Sequence, residues 1–231
     1  VDTQPGYDVL AAAYDEAFPT GYVSSVERQA IALFAEDLVA TGLQGTVLDV
    51  GCGTGHVTRD LSARGLEVLG VDPSVGMLGR AQQRYPEMSW ALGDASLRDL
   101  PQDQPPLAGI VARFSLIHVD PELISDVFTR WTARLQPGAY VMVAFQCAED
   151  PAEAVMEFDH VVARAWRWHP DAMAAALTEA GILERWRLVA QPDASNRFAT
   201  CHLVGRLAVG PTIEECPRRG RSAPTSDATA S

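Results

Sequence analysis

The sequence predicts an α/β protein built on a doubly wound, mostly parallel sheet. Three observations predict it. Short apolar runs alternate with helical patterns along most of the 231 residues, as in a sheet with helices on both faces. One such run, Thr46-Val47-Leu48-Asp49-Val50, leads into Gly51-Cys52-Gly53-Thr54-Gly55, and a helical pattern opens behind it. Glycines at a strand-to-helix turn let the backbone approach a ligand, and the helix start offers unpaired N–H groups. The next apolar run ends in an acid, Asp72, 21 residues after Gly51. A carboxylate at that place suits the two hydroxyls of a ribose.

Each element follows from local pattern. In residues 1–20, Tyr7, Leu10, Ala11 and Tyr14 share one helical face at spacings of three and four. A second helix over 24–41 turns Val26, Ala30, Leu33, Phe34 and Leu38 inward and ends at Gly42. After the strand at 46–50, Gly55 to Arg64 reads as an amphipathic helix with Val57 and Leu61 inward, and Gly65 closes it. Glu67 to Asp72 is the second strand, and Pro73-Ser74 opens the next helix. The third strand, near 88–92, is followed by Gly93-Asp94-Ala95, and residues 101–106 form a surface turn. Leu107 to Ala112 is the fourth strand. Pro121 starts a helix with Leu123, Val127, Trp131 and Leu135 inward, which Gln136-Pro137-Gly138 terminates. Strand five covers 139–147. Residues 148–169 begin acidic and turn aromatic and basic, a cap insertion. A helix at 170–181 and antiparallel strands at 182–191 and 200–209 complete a single domain over 1–209. Residues 210–231, rich in Pro, Ser, Thr, Gly, Arg and Glu, read as a disordered tail.

Composition removes several classes. The net charge is −12, and all 18 basic residues are Arg. An acidic chain lacks the basic face that a phosphate backbone needs, so no nucleic-acid partner is expected; the strongest basic run, Arg218-Arg219-Gly220-Arg221, lies in the tail. The four cysteines, Cys52, Cys147, Cys201 and Cys216, have no zinc-ligand spacing, and no metal is expected. No apolar run approaches 18 residues and no signal peptide opens the chain, so the expectation is a cytoplasmic protein without a membrane partner. The glycine spacing also separates cofactors. A dinucleotide fingerprint is Gly-x-Gly-x-x-Gly; here it is Gly-x-Gly-x-Gly, with Asp49 two residues before the first glycine. That carboxylate would repel a pyrophosphate and suits a cationic or amino-acid head.

The octet Leu-Asp-Val-Gly-Cys-Gly-Thr-Gly resembles the first motif of class I S-adenosylmethionine-dependent methyltransferases. The resemblance runs over roughly residues 7–207, through Asp72, Gly93-Asp94-Ala95, the strand-four exit Phe-Ser-Leu-Ile-His-Val-Asp-Pro and the Leu-x-Pro-Gly-Ala junction. It implies a Rossmann-like seven-stranded sheet of order 3-2-1-4-5-7-6 with the last strand antiparallel. It implies S-adenosyl-L-methionine as cofactor and S-adenosyl-L-homocysteine as product. Its cofactor-binding set, carried onto this chain, is Tyr14, Asp49, Gly51, Cys52, Gly53, Asp72, Pro73, Met77, Asp94 and Ala95. Asp72 would hold the ribose, Met77 would lie against adenine and Asp94 would accept from its amino group. Position 113 is usually apolar or aromatic in such proteins, so Arg113 is a departure. It is a candidate for the cofactor or for a substrate carboxylate, with exposure to solvent as the plain alternative.

The acceptor side is expected around Tyr7, Arg113, Phe114 and Trp166, with the cap at 148–169 walling it off. His118 and His160 are the candidate general bases, because an ordinary histidine titrates near neutrality. Asp159 or Glu157 would bind a cationic acceptor. The small cap favours a small-molecule acceptor, a specialised metabolite, methylated on oxygen or nitrogen rather than carbon. The same motifs also suit a protein of this fold that uses the cofactor structurally, as in a cyclase; the glycine spacing and Asp49 oppose an NAD-dependent oxidoreductase.

Overall fold

The structure, a computed structural model, describes residues 5–101, 105–194 and 196–209. Seven strands form one sheet: β1 (Thr46–Val50), β2 (Glu67–Asp72), β3 (Ser89–Leu92), β4 (Leu107–Arg113), β5 (Leu135–Gln146), β8 (Ile182–Ala190) and β9 (Thr200–Leu207). Their order is β3-β2-β1-β4-β5-β9-β8. The first five run parallel, and β9 is antiparallel to both β5 and β8. Counted within the sheet alone, this is the expected 3-2-1-4-5-7-6. The tail and Cys216 lie outside the described residues.

Alternation along each strand divides the core. Leu48 and Val50 join Ile110, Ala112, Val143 and Phe145 under α5 (Ile124–Thr132) and α6 (Pro170–Glu179). Val47 joins Val68, Val111 and Met142 under α2 (Ser25–Thr41) and α3 (His56–Ala63). Successive side chains of a strand point to opposite faces, so a sheet covered on both sides reads as a continuous apolar run. Chain order reverses between β1 and β4. Loops leaving the carboxyl ends of neighbouring strands there diverge to opposite faces and leave a crevice.

Three expectations are corrected, and the cap gains a defined form. On α2 the buried stripe is Ala30, Ile31, Phe34, Ala35 and Leu38, and Leu33 lies outside it, half-exposed. Leu123 is exposed because Pro121–Leu123 forms a separate 3-10 turn before α5. Gln136-Pro137-Gly138 does not follow a helix that runs to Arg134. It lies inside β5, because Leu135 already pairs with Leu107 while Tyr140 pairs with Gly109. The extra residues bulge, and Gly138 takes φ 81°, a left-handed angle open to glycine. Finally, the cap is a two-stranded hairpin, β6 (Val155–Phe158) with β7 (Ala165–Trp168).

Helix α1 (Pro5–Ala17) is held differently from the rest. Among its side chains described, only Ala11 is buried, and Val9 is exposed. It is fixed to α4 (Val75–Arg84) by polar contacts. Asp8 accepts from the Ser74 hydroxyl at 2.6 Å and from Gly76 N–H at 2.9 Å, and Asp15 pairs with Arg84 at 2.7 Å.

Candidate functional site

One cavity of about 900 Å³ opens at the carboxyl ends of β1, β2, β4 and β5. All the site residues picked from the sequence except Glu157 and Asp159 lie on its wall: Tyr7, Tyr14, Asp49, Gly51, Cys52, Gly53, Asp72, Pro73, Met77, Asp94, Ala95, Arg113, Phe114, His118, His160 and Trp166. Strands that begin far apart in the chain end side by side here, which brings these residues together.

The glycine turn is shaped by its surroundings. Gly51 has φ 75°, and a Cβ there would overlap the Ser115 side chain. The Ser115 hydroxyl in turn donates to the Val50 carbonyl at 2.7 Å, so the turn after β1 and the exit of β4 are pressed together. Asp72 braces the other side. Its two oxygens accept from Gly53 N–H at 2.8 Å and Ser74 N–H at 2.9 Å. Asp94 accepts from both the backbone and hydroxyl of Ser96, at 2.8 and 2.5 Å. Met77 is buried on the first turn of α4, which Ser74 caps.

Two carboxylates are sunk into this wall. Asp49 is 2 % exposed and Asp72 7 %. Burial pushes the Asp49 carboxyl up to about 6, although the Thr58 hydroxyl at 2.6 Å and the Arg113 charge pull it down. Burial also pushes Asp72 up to about 6 against its two backbone donors. Both values lie above the ordinary 3.8, so between about pH 4 and 6 the folded chain binds more protons than the unfolded one. Their stabilising contribution is full below that window and is lost as pH rises through about 6. The effect is on the order of 2–3 kcal/mol for each carboxylate. Thermal unfolding of the ligand-free protein should show this falling component, and Asp49→Asn should flatten it. An unchanged pH slope in the variant would refute the assignment.

Arg113 is neither turned to solvent nor free for a carboxylate. It is 13 % exposed on its side chain, and its Nη1 donates to Glu27 Oε2 at 2.6 Å, with Glu27 2 % exposed. Its Nη2 donates to the Gly21 carbonyl, and Tyr22 and Phe114 flank the guanidinium. Glu27 also accepts from Val23 N–H at 3.0 Å. The ion pair thus ties the α1–α2 connection to the end of β4. The next residue, Phe114, is not glycine yet takes φ 55°. Such strain persists where surrounding structure enforces it, and it gathers at ligand sites.

His118 is the most constrained titratable group. Its Nδ1 lies 3.0 Å from the Arg164 carbonyl, which can only accept, so Nδ1 carries the proton. That leaves the Nε2 lone pair facing the Tyr7 hydroxyl at 2.9 Å. Burial lowers the His118 pKa, opposed by the Arg164 contact, and burial raises that of Tyr7. His118 is therefore the neutral partner and Tyr7 the donor. The His160 ring stacks edge-on against His118 at 4.9 Å, and burial lowers its pKa too. Glu157 and Asp159 are not on the cavity wall: Glu157 pairs with Arg164 at 2.8 Å and Asp159 with Arg197 at 2.7 Å.

Among the wall residues that sequence reasoning passed over, three polar ones stand out. Glu27 carried a signal, since Ser24-x-x-Glu27 is a capping pattern, but nothing local announced Arg113 as its partner. His56 opens α3, and its Nε2 accepts from Arg84 at 2.6 Å while Nδ1 meets the Tyr85 hydroxyl at 2.8 Å. Gln146 ends β5 with its side-chain oxygen buried and unpartnered among the described residues. No group of three or more potential metal-ligating side chains forms among the described residues, and none of their helices is long and apolar enough to cross a membrane.

Residues 47–138 match a sequence family described as a methyltransferase domain. A biotin biosynthesis bifunctional protein BioHC of Cellvibrio japonicus is 37 % identical over 86 residues, 37 % of this chain and 16 % of that protein. The chain spans less than two thirds of the length of the first curated relatives it matches. Magnesium protoporphyrin IX methyltransferase from Synechocystis PCC 6803, solved with bound S-adenosylmethionine, superposes with a TM-score of 0.64 at 18 % identity, covering 90 % of this chain and 98 % of the other. The 1,6-didemethyltoxoflavin-N1-methyltransferase of Burkholderia thailandensis, solved with its acceptor and S-adenosylhomocysteine, gives 0.62 at 16 % identity, covering 90 % and 91 %. At these identities the likeness is one of fold.

Proposed function

We propose that this chain, a class I S-adenosylmethionine-dependent methyltransferase by its matched domain and its fold, transfers the cofactor's methyl group to oxygen or nitrogen of a small-molecule acceptor in specialised metabolism. The observation that carries the reading is the pair of buried carboxylates, Asp49 and Asp72, set around a glycine turn in a cavity that also holds a neutral histidine.

The donor set fits the cofactor. Asp72 is suited to vicinal hydroxyls, Asp94 to an exocyclic amine, and Met77 to the face of a ring. Asp49 and Asp72 supply negative charge where a cationic ligand repays their burial. S-adenosylmethionine, when bound, supplies a methyl group already activated by a positive sulfur, and it leaves as the neutral homocysteine thioether. The chain's own work is alignment, exclusion of water and removal of a proton. Alignment alone can lower a barrier by about 7–11 kcal/mol in favourable cases. As the acceptor's lone pair takes the methyl carbon, its proton passes to the Tyr7 hydroxyl oxygen while that hydroxyl hands its own proton to Nε2 of His118. Rings at Phe114 and Trp166, with the β6–β7 hairpin, keep that step dry.

The test is cofactor affinity. Asp72→Ala removes the acceptor of two backbone N–H groups and the ribose partner. Charge-assisted bonds contribute about 1.5–3 kcal/mol each, so calorimetric titration with S-adenosylhomocysteine should show binding weakened by about 30-fold or more. Equal affinity in the variant and the parent would overturn the cofactor assignment.

A further inference from the structure

The connection between β6 and β7 fixes the tautomers of two cavity histidines in opposite senses. The Arg164 carbonyl can only accept, so it holds the proton of His118 on Nδ1 and leaves Nε2 to the Tyr7 hydroxyl. The Val162 N–H can only donate, and it meets Nδ1 of His160 at 3.3 Å. That nitrogen keeps its lone pair, so the proton of the neutral His160 ring sits on Nε2. Burial lowers the pKa of both rings, and a charged His160 would carry a proton on Nε2 as well. Nε2 makes no hydrogen bond among the described residues and is not sealed from solvent, on a residue that lines the cavity. His160 therefore offers a donor where the sequence had suggested a base.

The charges of the wall narrow what can meet that donor. Among the described residues its arginines are matched, Arg98 by Asp126 at 3.1 Å and Arg113 by Glu27 at 2.6 Å. Asp120 lies on the same wall, two residues beyond His118. An anion held here would lose its water without gaining a counter-ion, which is costly. What suits Nε2–H is an uncharged oxygen, such as that of a carbonyl. The His118 ring is in edge contact with Tyr7, at 5.5 Å between ring centres, and with His160, at 4.9 Å. One molecule can therefore meet the Tyr7 oxygen with a donor and His160 with an acceptor.

Building on the methyl-transfer reading, we propose that the acceptor is an uncharged compound whose methylated O–H or N–H is conjugated with a carbonyl, and that Nε2–H of His160 donates to that carbonyl oxygen. The acceptor's lone pair forms the bond to the methyl carbon, the carbon–sulfur electron pair stays on sulfur, and the acceptor's proton moves through the Tyr7 hydroxyl to His118. Electron density from the breaking O–H or N–H bond spreads onto the carbonyl oxygen, where a fixed donor stabilises it. His160 itself exchanges no proton.

The test measures binding, with the protein saturated by S-adenosylhomocysteine at neutral pH, of three probes of similar shape: 4-hydroxyacetophenone, 4-ethylphenol and 4-hydroxybenzoate. The ketone should bind about tenfold tighter than the ethylphenol, one hydrogen bond's worth, although the ethylphenol is the more apolar, and the benzoate weakest. His160→Phe should erase the ketone's advantage and move the infrared carbonyl band of the bound ketone to higher frequency. His160→Gln, whose amide keeps an N–H donor, should retain both the advantage and the band. Uptake of S-adenosylhomocysteine by each variant shows that it is folded. The inference is overturned if the benzoate matches the ketone, if the advantage or the band survives in His160→Phe, if His160→Gln loses both, or if no neutral probe binds a protein that does bind S-adenosylhomocysteine. Absence of S-adenosylhomocysteine uptake in the parent protein would instead bring down the methyl-transfer reading, and this inference with it.

Discussion

His118→Ala should slow methyl transfer by about 10²–10⁴-fold, the range a positioned general base contributes, with S-adenosylhomocysteine affinity unchanged. The expectation comes from the ring's two contacts. Donation from Nδ1 to the Arg164 carbonyl fixes the tautomer and aims the Nε2 lone pair at Tyr7 and the cavity. Burial lowers the pKa from the ordinary 6.5, so the ring is a free base at neutral pH. In the parent protein the single-turnover rate should rise with pH through a value below 6.5 and then level off. In the variant that rise should vanish. A purely architectural histidine would lower the rate, if at all, without flattening the profile. A variant that keeps both the parent rate and its pH rise would remove His118 from the mechanism.

Arg113→Ala should cost about 3–5 kcal/mol of folding stability, as breaking one side of a buried ion pair does. Glu27, only 2 % exposed, would be left charged or forced to protonate inside the core. The Gly21 carbonyl would lose its donor. Asp49 would lose a charge that now holds its pKa down. Replacing both partners, as Arg113→Leu with Glu27→Gln, should cost clearly less than the single change, because no isolated charge remains. Urea unfolding of the three variants measures this. If the single variant unfolds within about 1 kcal/mol of the parent, the pair is no more than a surface contact in its energetics.

Much of the architecture could be read from local pattern. Strands β1, β2 and β4 are buried on both faces, so their apolar runs stand out, and the glycine turn marks the crevice by itself. Asp72 and Asp94 were legible because one ends β2 and the other follows β3 by two residues. What failed depends on partners distant in the chain. Arg113 and Glu27 are 86 residues apart, and no periodicity links them. Gln146 ends a long strand as one more polar residue. The β6–β7 hairpin escaped because its connection, Asp159-His160-Val161-Val162-Ala163-Arg164, has no glycine, asparagine or proline to mark a turn. The strand start at Leu135 was hidden by Pro137, which ordinarily argues against a strand but here falls in a bulge.

The sparse apolar anchoring of α1 has a consequence for handling the molecule. Its hold on α4 includes the ion pairs of Asp15 with Arg80 and Arg84, whose attraction is screened over about 10 Å at 0.1 M ionic strength, whereas the sheet beneath is closed by hydrocarbon. The front of the cavity and its back therefore answer to different solvents: brine loosens the first and leaves the second intact, and urea does most of its damage to the second.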